Sequence, residues 1–338
     1  MKARSVVTLS DVAERAGVSL ATASRVINGG TRAVSPHYRD RVLAAAADLG
    51  YTPNAHAQAM ARGRSKMIGL VVHDIADPYF SAIAAGAISL AGSRGLLVLG
   101  NTLHNPDYEF EYVATMRAQR AQALILVGSR TTDVEQTRRL TEEVTEFIEG
   151  GGRVAAVSQA TLGADTVLPE NRAGAQALAE ALIGEGHRRF AVLGGPPTLL
   201  TARDRVAGFA DALAGNGLEP PVVIEGAFTR DGGYAAMTEL LDRPGHPPCV
   251  FAVNDVMAIG AMAAVRERGL RVPGDIAVAG FDDIPTLRDV APSLTTVRLP
   301  LAEMGRLAAS MVLDDEPGPS PRVAPIAGEV VLRESTIP

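Results

Sequence analysis

Two different spacings of hydrophobic positions divide this chain of 338 residues. Up to residue 50, apolar residues recur every three or four positions, as in amphipathic helices. From Ile68 onward, short apolar runs alternate with helical stretches rich in Ala and Leu, a pattern typical of parallel sheets covered on both faces. The runs are MIGLVV, GLLVLG, ALILVG, RVAAVS, FAVLGG, PVVIEG, CVFAVN, IAVAGF and GEVVLRES. They are too many for one sheet, so the sequence predicts an α/β protein with two lobes of doubly wound parallel sheet behind a helical head.

The head contains three predicted helices with clear ends. Thr8 is expected to cap the first helix with Asp11 as its capping-box partner, and Gly17 is expected to end it. Ser19 is expected to cap the second helix, and Ser35, which precedes a proline, opens the third. Two short helices joined by a tight turn and braced by a third predict a helix-turn-helix.

Two further segments have no apolar pattern of their own. Asn54 is placed to cap a short helix over residues 55–61, but a helix of this length is marginal in water and needs a partner to form. Near the other end of the chain, DDEPGPSPRVAP, Asp314 to Pro325, predicts a Pro-rich surface loop.

Composition and length narrow the class of protein. At about 150 residues per domain, the length suggests two or three domains. The single cysteine, Cys249, excludes an intrachain disulfide and a cysteine metal cage. No apolar stretch precedes the first charges, and no run approaches about 18 apolar residues, so we expect neither a signal peptide nor a membrane span. These features favour a cytoplasmic protein.

Charge is unevenly distributed along the chain. Residues 1–66 contain ten Lys and Arg against four Asp and Glu, a net charge of +6, whereas the remaining residues contain 22 against 34, a net charge of −12. A small basic head on an acidic body indicates contact with nucleic acid at one end only.

The second helix has an outer face suited to DNA. Its core positions are Ala23, Val26 and Ile27, which recur at helical spacing. Short hydroxyls and amides suit hydrogen bonds to phosphate, and arginine suits bidentate contact with guanine. The alternative is a solvated face on a small helical bundle, which the absence of acidic residues from Ser19 to Arg39 disfavours. The outer positions are Leu20, Ala21, Ser24, Arg25 and Asn28, with Ser19 and Thr22 near the start.

Several motifs resemble the lactose-repressor/galactose-repressor (LacI/GalR) family of bacterial transcription regulators. The first is VTLSDVAERAGVSLATASRVING, and the resemblance continues through VSPHYRDRVLAAAADLGYTPNAHAQAMARGRS and IGLVVHDIADPYF. It is found again in GHRRFAVLGG, ARDRVAGF, FAVNDVMAIGAM, GDIAVAGFDD, PSLTTVR and VVLRESTIP. The resemblance covers essentially the whole chain and implies a DNA-binding regulator.

The resemblance implies that the second helix enters the major groove. Leu20 and Ala21 are then the first base-reading positions, limited to apolar contact such as with a thymine methyl, and Arg25 and Asn28 follow. Arg25 is then expected to make the main hydrogen bonds to the bases, and its expected partner is guanine. Phosphate contacts are expected from four hydroxyl side chains, Thr8, Ser19, Thr22 and Ser24.

Residues 53–66 resemble the family's hinge helix and linker, which order in the minor groove when two subunits pair on DNA. Asn54 and Met60 are the candidate DNA contacts in this segment. Met60 stands where the family usually has a leucine wedge, and because Met is apolar and of similar length we expect it to insert between base pairs. The alternative is that Met60 is a plain linker residue.

The resemblance also implies a sensor of the periplasmic-binding-protein fold, with interleaved lobes and a ligand cleft at the carboxyl ends of the strands. The expected domains are a head at 1–52, a hinge at 53–66 and a ligand-sensing and dimerisation domain at 67–338. Lobe one is expected at about 67–163 and 295–325, and lobe two at about 164–294 and 326–338.

Candidate effector contacts follow from both the strand ends and the resemblance. His73 follows the first strand, and the family's contacts map onto Arg203, Asn254 and Asp282, with aromatic contacts at Phe228 and at Tyr79 or Phe80. Arginine, amide and carboxylate groups suit vicinal hydroxyls, and a ring offers a flat apolar face, so a sugar or sugar derivative is favoured. The alternatives are a loop cap for Asp282, a surface ion pair for Arg203 and a core position for Phe80.

These features predict a repressor that binds a palindromic operator as a homodimer under the control of a small sugar-like effector, with no cofactor and no metal. The alternative within the family is a corepressor-dependent regulator that responds to a purine-like metabolite. Leu299 stands where some sugar-responsive members have a polar ligand contact, so the pocket is expected to differ from the pocket of those members. A dehydrogenase would need a Gly-rich phosphate turn and a hydrolase a GxSxG elbow, and neither motif is present. A secreted solute-binding protein would lack the basic head.

Overall fold

The computed structural model describes residues 7–28, 34–52, 65–92, 94–314 and 321–337. The chain divides into two compact units, residues 1–66 and 67–338. The predicted hinge helix, with Asn54 and Met60, lies outside the described residues. Among the described helices, none combines the length and the apolar character that crossing a membrane requires.

The head is the predicted three-helix arrangement, with α1 at Leu9–Ala16, α2 at Leu20–Asn28 and α3 at Pro36–Leu49. The Thr8 side chain accepts from the amide of Asp11, whose carboxylate accepts from the Thr8 amide at 2.7 Å, so the capping box is confirmed. Gly17 ends α1 in the left-handed conformation, with φ of 63°. The core consists of small apolar residues, Val12, Ala13, Ala16, Ala23, Val42, Ala45 and Ala46.

The body is built from alternating strands and helices. Its strands are β1 Met67–Val72, β2 Leu96–Asn101, β3 Ala123–Val127, β4 Arg153–Val157, β5 Asp165–Pro169, β6 Phe190–Gly194, β7 Val222–Glu225, β8 Cys249–Ala252, β9 Ala277–Ala279, β10 Thr296–Arg298, β11 Val323–Ile326 and β12 Glu329–Val331. Its helices are α4 Pro78–Ala91, α5 Pro106–Ala118, α6 Val134–Glu149, α7 Asn171–Gly184, α8 Leu200–Gly215, α9 Arg230–Leu241, α10 Asp255–Glu267 and α11 Leu301–Leu313.

The strands form two parallel sheets, as the alternating pattern predicts. Lobe one contains a six-stranded sheet in the order β11-β5-β4-β3-β1-β2, and lobe two contains a four-stranded sheet in the order β7-β6-β8-β9. Strands β10 and β12 pair antiparallel, and bridges at Ala279–Thr295 and Asp282–Arg298 place β10 alongside lobe two. Apolar side chains fill both faces of the lobe-one sheet.

The strand pairing differs from the predicted lobe boundaries in two places. Strand β5 pairs with β4, so residues 165–169 belong to the sheet of lobe one, whereas the prediction places them in lobe two. The prediction places residues 295–298 in lobe one, but Thr295 and Arg298 form bridges with Ala279 and Asp282 of lobe two. The resemblance supplies the order of the crossings between lobes, whereas only backbone pairing determines where each crossing begins.

The prediction of a surface loop up to Pro325 is wrong at its end. Residues 323–326 form β11, which pairs in parallel with β5 at the edge of the six-stranded sheet. An edge strand tolerates a proline because one side of its backbone has no neighbouring strand to bond. Proline content alone therefore does not exclude a strand at this position.

Two glycines allow the helices on one face of lobe one to pack closely. A β-carbon on Gly86 of α4 would lie 1.9 Å from the carbonyl oxygen of Ala302 in α11. A β-carbon on Gly305 of α11 would lie 2.0 Å from the carbonyl oxygen of Ile83 in α4. Both neighbours are backbone atoms, which cannot swing aside, so only glycine fits either position at this separation.

Candidate functional site

The face of α2 that points away from the head core contains the predicted DNA-binding residues. Leu20 has 51% of its surface exposed, and Ala21 and Arg25 are also exposed, whereas Ala23 is buried. Ser24 and Asn28 are half-buried and lie one turn apart, with the Asn28 amide donating to the Ser24 hydroxyl at 3.1 Å. The face therefore presents an apolar N-terminal end followed by Arg25.

The hydroxyl candidates lie at the starts of α1 and α2. Thr8 and Ser19 are exposed, and Thr22 is half-buried. The Ser19 and Thr22 hydroxyl oxygens are 2.9 Å apart, and the Ser19 hydroxyl also accepts from the Thr22 amide at 3.2 Å. These bonds hold the start of α2, where unpaired backbone amides favour an anion such as phosphate.

A second group of candidates meets between the two lobes of the body. Six of the seven predicted effector residues line one small cavity of about 30 Å³ at the carboxyl ends of the strands. Because one water occupies about 10–15 Å³ by this measure, the lobes leave room for two or three waters. The lining consists of His73, Asp77, Tyr79, Phe80, His104, Ser129, Leu199, Thr201, Arg205, Phe228, Asn254 and Asp282.

The arginine at this cavity is Arg205, and the prediction of Arg203 is not supported by its position. Arg203 is exposed on α8, whereas Arg205 is 2% exposed. Successive helical residues turn by about 100°, so two positions apart they point to nearly opposite sides. Arg205 shares the buried side of α8 with Ala202 and Phe209, at spacings of three and four residues. That periodicity is visible in the sequence and identifies Arg205 as the inward-facing arginine.

All three guanidinium nitrogens of Arg205 donate hydrogen bonds within the protein. Its Nε donates to Asn171 Oδ1 at 2.8 Å, Nη1 donates to the Val253 carbonyl at 2.7 Å, and Nη2 donates to Asp282 Oδ1 at 2.8 Å. The guanidinium carbon lies 3.8 Å from the centre of the Phe281 ring, a cation–π contact. The positive charge is therefore already neutralised within lobe two.

Asp282 and Asn254 complete the polar side of lobe two. Burial raises the pKa of Asp282 to about 6, against the opposing effect of Arg205. The backbone of Asp282 has φ of 117°, and its amide donates to the Val297 carbonyl at 2.8 Å. Asn254 caps α10 by accepting from the Met257 amide at 2.8 Å. Among the described residues, no hydrogen bond engages the side-chain nitrogen of Asn254, which leaves its two N–H groups for a ligand.

Aromatic side chains form the apolar walls of the cavity. Asp77 caps α4 through the Tyr79 amide at 2.9 Å and thereby positions Tyr79 and Phe80 at the cavity. The Tyr79 and Phe80 rings meet edge to face with centroids 5.1 Å apart. Phe228 approaches from lobe two, where a β-carbon on Gly195 would lie 2.4 Å from its ring. Tyr79 remains protonated because burial raises its pKa.

Sequence and structure comparisons agree on one family. The pattern described as bacterial regulatory proteins, lacI family, matches residues 8–54, and the periplasmic binding protein-like domain matches residues 179–336. The chain is 36% identical over 318 residues, 93% of this chain and 91% of the relative, to the HTH-type transcriptional regulator GalS of Salmonella typhimurium. The chain belongs to the LacI family. It is accordingly a DNA-binding transcriptional regulator with an effector-binding domain, and not an enzyme.

Solved structures of LacI-family regulators share the architecture. The Lac repressor dimer bound to operator and the anti-inducer ONPF superposes with a TM-score of 0.82, at 28% identity over 99% of this chain and 100% of that chain. The complex of the transcriptional regulator CelR with cellobiose superposes with a TM-score of 0.68, at 30% identity over 97% of this chain and 99% of that chain. The head, taken by itself, and the two-lobed body, taken by itself, therefore each contain the elements found in this family.

The two lobes of this LacI-family regulator are joined beside the cavity by backbone hydrogen bonds. The Thr132 amide donates to the Thr198 carbonyl at 2.8 Å, and the Leu200 amide donates to the Arg130 carbonyl at 2.9 Å. The Thr201 amide also donates to the Ser129 hydroxyl at 3.1 Å. Because these bonds connect the loop after β3 to the loop after β6, they stabilise a closed arrangement of the lobes.

His73 gives the body of this LacI-family regulator a stability that depends on pH. Burial lowers the pKa of His73 to about 4 from an ordinary value of 6.5. Between these values the unfolded chain binds a proton that the folded chain does not, so stability falls as the pH falls from 6.5 to 4. We expect unfolding in urea to show a loss of about 2 kcal/mol from this residue between pH 7 and pH 5.

The variant His73→Asn should lose about 2 kcal/mol less of its free energy of unfolding between pH 7 and pH 5 than the unmodified chain does. His246→Asn, away from the cavity, serves as the control and should lose as much as the unmodified chain does. If His73→Asn and the unmodified chain lose the same stability between pH 7 and pH 5, His73 titrates normally and the explanation is wrong.

The described residues contain no group of three His, Cys, Asp or Glu side chains able to hold a metal ion.

Proposed function

We propose that this regulator is a repressor that binds a palindromic operator as a homodimer in the cytoplasm and is controlled by an uncharged, polyhydroxylated effector. The exposed face of α2 supports the DNA part of the proposal, because it combines apolar Leu20, small Ala21 and Arg25 on a head with a net charge of +6. One such head offers little contact area, and twofold pairing of two heads suits a palindromic site. Asn54 and Met60 are proposed to contact the minor groove.

Specificity in this proposal comes mainly from Arg25. Its side chain is exposed and makes no ion pair with a described residue, so it is available for guanine in the major groove. Leu20 and Ala21 contribute apolar contact to the bases, and Asn28 lies further along the same face. Phosphate contacts are proposed for the hydroxyl side chains at the helix starts, Thr8, Ser19, Thr22 and Ser24.

The variant Arg25→Ala is expected to weaken binding to the cognate operator by about 1–3 kcal/mol and to relax preference at one symmetric base pair. Arg39→Ala is the matched control, because it removes the same charge from an exposed position on α3. Competition titrations on cognate and single-mismatch duplexes measure both effects. Equal losses for the two variants on cognate and random DNA would reduce Arg25 to a general electrostatic contact.

The chemistry of the cavity favours an effector without negative charge. Arg205 is already paired with Asp282, and Asp77 adds a second carboxylate. Burial lowers the pKa values of His73 and His104, so both rings are neutral at pH 7. The described cavity therefore offers no unpaired positive charge to a phosphate or carboxylate.

Donors and acceptors in the cavity match vicinal hydroxyl groups. Asp282 and Asp77 accept, the Asn254 amide donates, and Arg205 fixes the orientation of Asp282 from behind. His73, Tyr79, Phe80 and Phe228 supply flat faces for the apolar side of a sugar ring. The CelR structure in complex with cellobiose shows a similar fold holding a sugar, which supports the same class for this chain. Effector entry requires the lobes to separate, because about 30 Å³ is too small for a sugar ring.

The test combines selection of DNA with a panel of ligands. We expect selection from random duplexes to yield a palindrome of roughly 14–20 base pairs, the span of two half-sites about a helical turn apart. The selected duplex is then titrated in the presence of neutral sugars, sugar phosphates, nucleosides and purine bases. A response to neutral sugars alone supports the proposal, whereas a response to nucleosides, purine bases or sugar phosphates contradicts it. The direction of the response distinguishes an inducer from a corepressor.

A further inference from the structure

A second cavity adjoins the central one at the carboxyl edge of the lobe-one sheet. It has a volume of about 300 Å³, at the lower end of the range for small-molecule pockets, and shares four lining residues with the central cavity. The shared residues are His73, His104, Ser129 and Leu199. The larger cavity continues past them between α5 and α6, beside the hydrogen bonds that join the lobes. We call it the side cavity.

One buried hydroxyl in the side cavity lacks a partner. Thr102 follows β2 and is 1% exposed, and its Oγ1 forms no hydrogen bond within the described chain. A buried hydroxyl without a partner is unfavourable, because it has lost its hydrogen bonds to water without replacing them. A polar ligand in the side cavity would supply the missing hydrogen bond.

The positive charge of Arg130 beside the side cavity is already paired. Glu109 and Arg130 are both buried and form a bidentate pair, with distances of 2.9 and 3.1 Å. Arg130 also donates to the Ser158 hydroxyl at 3.0 Å and to the Gly128 carbonyl at 3.2 Å. Since the guanidinium group is used within the protein, it is not available to neutralise an anionic ligand. The cavity is therefore polar without a free positive charge.

The remaining lining suits a sugar ring. Hydroxyl and amide side chains, among them Thr131, Gln136 and Thr137, alternate with the apolar surfaces of Phe110 and Leu140. We propose that the side cavity binds a second uncharged sugar ring, so that the effector is an oligosaccharide of two or more rings. This inference rests on the proposed function, in which the first ring occupies the central cavity. The linkage between the rings then passes His104 and Ser129.

The first measurement compares monosaccharides with disaccharides on the full-length protein by calorimetry. The probes are glucose, galactose, cellobiose, maltose, lactose and melibiose, with adenosine as a nucleoside probe. We expect one disaccharide to bind at least about tenfold more tightly than its component monosaccharides, an advantage of about 1.4 kcal/mol. Equal affinity for a monosaccharide and its disaccharides would overturn the inference and leave the proposed function standing. Binding of adenosine alone, or of none of the probes, would overturn both.

Two variants then assign the advantage to the side cavity. Thr137→Phe fills the cavity from a half-buried position on α6 and should remove the preference for the disaccharide without changing monosaccharide affinity. Thr145→Phe is the matched control, because both threonines lie on α6 and donate to the carbonyl four residues earlier, at 2.9 and 2.7 Å. Thr145 is exposed and does not line the cavity.

Thr102→Val tests the hydroxyl directly, because valine keeps the shape and removes the polar atom. We expect disaccharide affinity to fall about tenfold while monosaccharide affinity is unchanged. A thermal melt verifies that each variant is folded. If Thr137→Phe retains the full preference for the disaccharide, the second ring binds elsewhere and the inference is wrong.

Discussion

Replacing Arg205 with methionine is expected to destabilise the body by about 3–5 kcal/mol and to abolish the effector response. The change removes three hydrogen bonds of 2.7–2.8 Å and leaves Asp282 buried without its partner. Because Arg205 opposes the effect of burial on Asp282, its loss should raise the pKa of Asp282 further above 6. Urea unfolding and effector-dependent release from the operator measure the two consequences.

Arg203→Met is the matched control for this prediction. Arg203 lies two residues away on the same helix and is exposed, so its removal should leave stability within about 0.5 kcal/mol and leave the response intact. The double variant Arg205→Met with Asp282→Asn removes both charges and should recover part of the stability without restoring the response. An Arg205→Met protein that still responds to effector would show that the central cavity is not the effector site.

Replacing Gly86 with valine is expected to destabilise the body by about 3 kcal/mol, the upper part of the range for overpacked interiors. The added β-carbon would lie 1.9 Å from a backbone oxygen of α11, so α4 and α11 have to separate. Ala85→Val on the exposed side of the same helix introduces the same β-branched side chain and should cost less than about 1 kcal/mol. Similar midpoints of urea unfolding for the two variants would show that the helices separate easily.

Local signals in the sequence account for the head. Capping residues, glycine ends and the three-to-four spacing around Val12, Ala23 and Val42 predict all three helices and their buried sides. These features act within a few residues of each other, so the sequence reveals them directly. Spacing is not sufficient on its own, since Tyr38 lies four residues before the buried Val42 on α3 and is nevertheless 45% exposed.

The effector cavity was only partly predictable, because it joins residues distant in the chain. Strand ends and the family resemblance together indicate His73, Asn254 and Asp282, whereas the resemblance alone places the arginine at Arg203 and takes no account of the face of the helix. The helical spacing between Ala202 and Arg205 identifies Arg205 as the arginine that faces the cavity. The side cavity had no local signal, because Thr102, Glu109 and Arg130 belong to three separate segments that only the tertiary fold brings together.

Three strands escaped prediction for related reasons. Strand β10 has only three residues, and β5 and β11 each end at or near a proline. Short strands contain few apolar positions, so their sequence pattern cannot be distinguished from the pattern of a loop. The pairing of these strands depends on segments that are distant in the sequence. Strands β5 and β11, for example, pair although more than 150 residues separate them.

Because the chain passes through lobe two before it returns to lobe one, lobe one can be completed only late in synthesis. The sheet of lobe one is finished by α11, which packs against β3, β4 and β5, and by β11, which covers the edge of β5. A ribosome adds about 5–20 residues per second, so the roughly 150 residues between β5 and β11 take on the order of 10–30 s to appear. During that interval an apolar sheet face and an open strand edge are exposed, which favours aggregation. Slow translation before residue 301 should therefore expose the sheet of lobe one to aggregation, although lobe one is synthesised first.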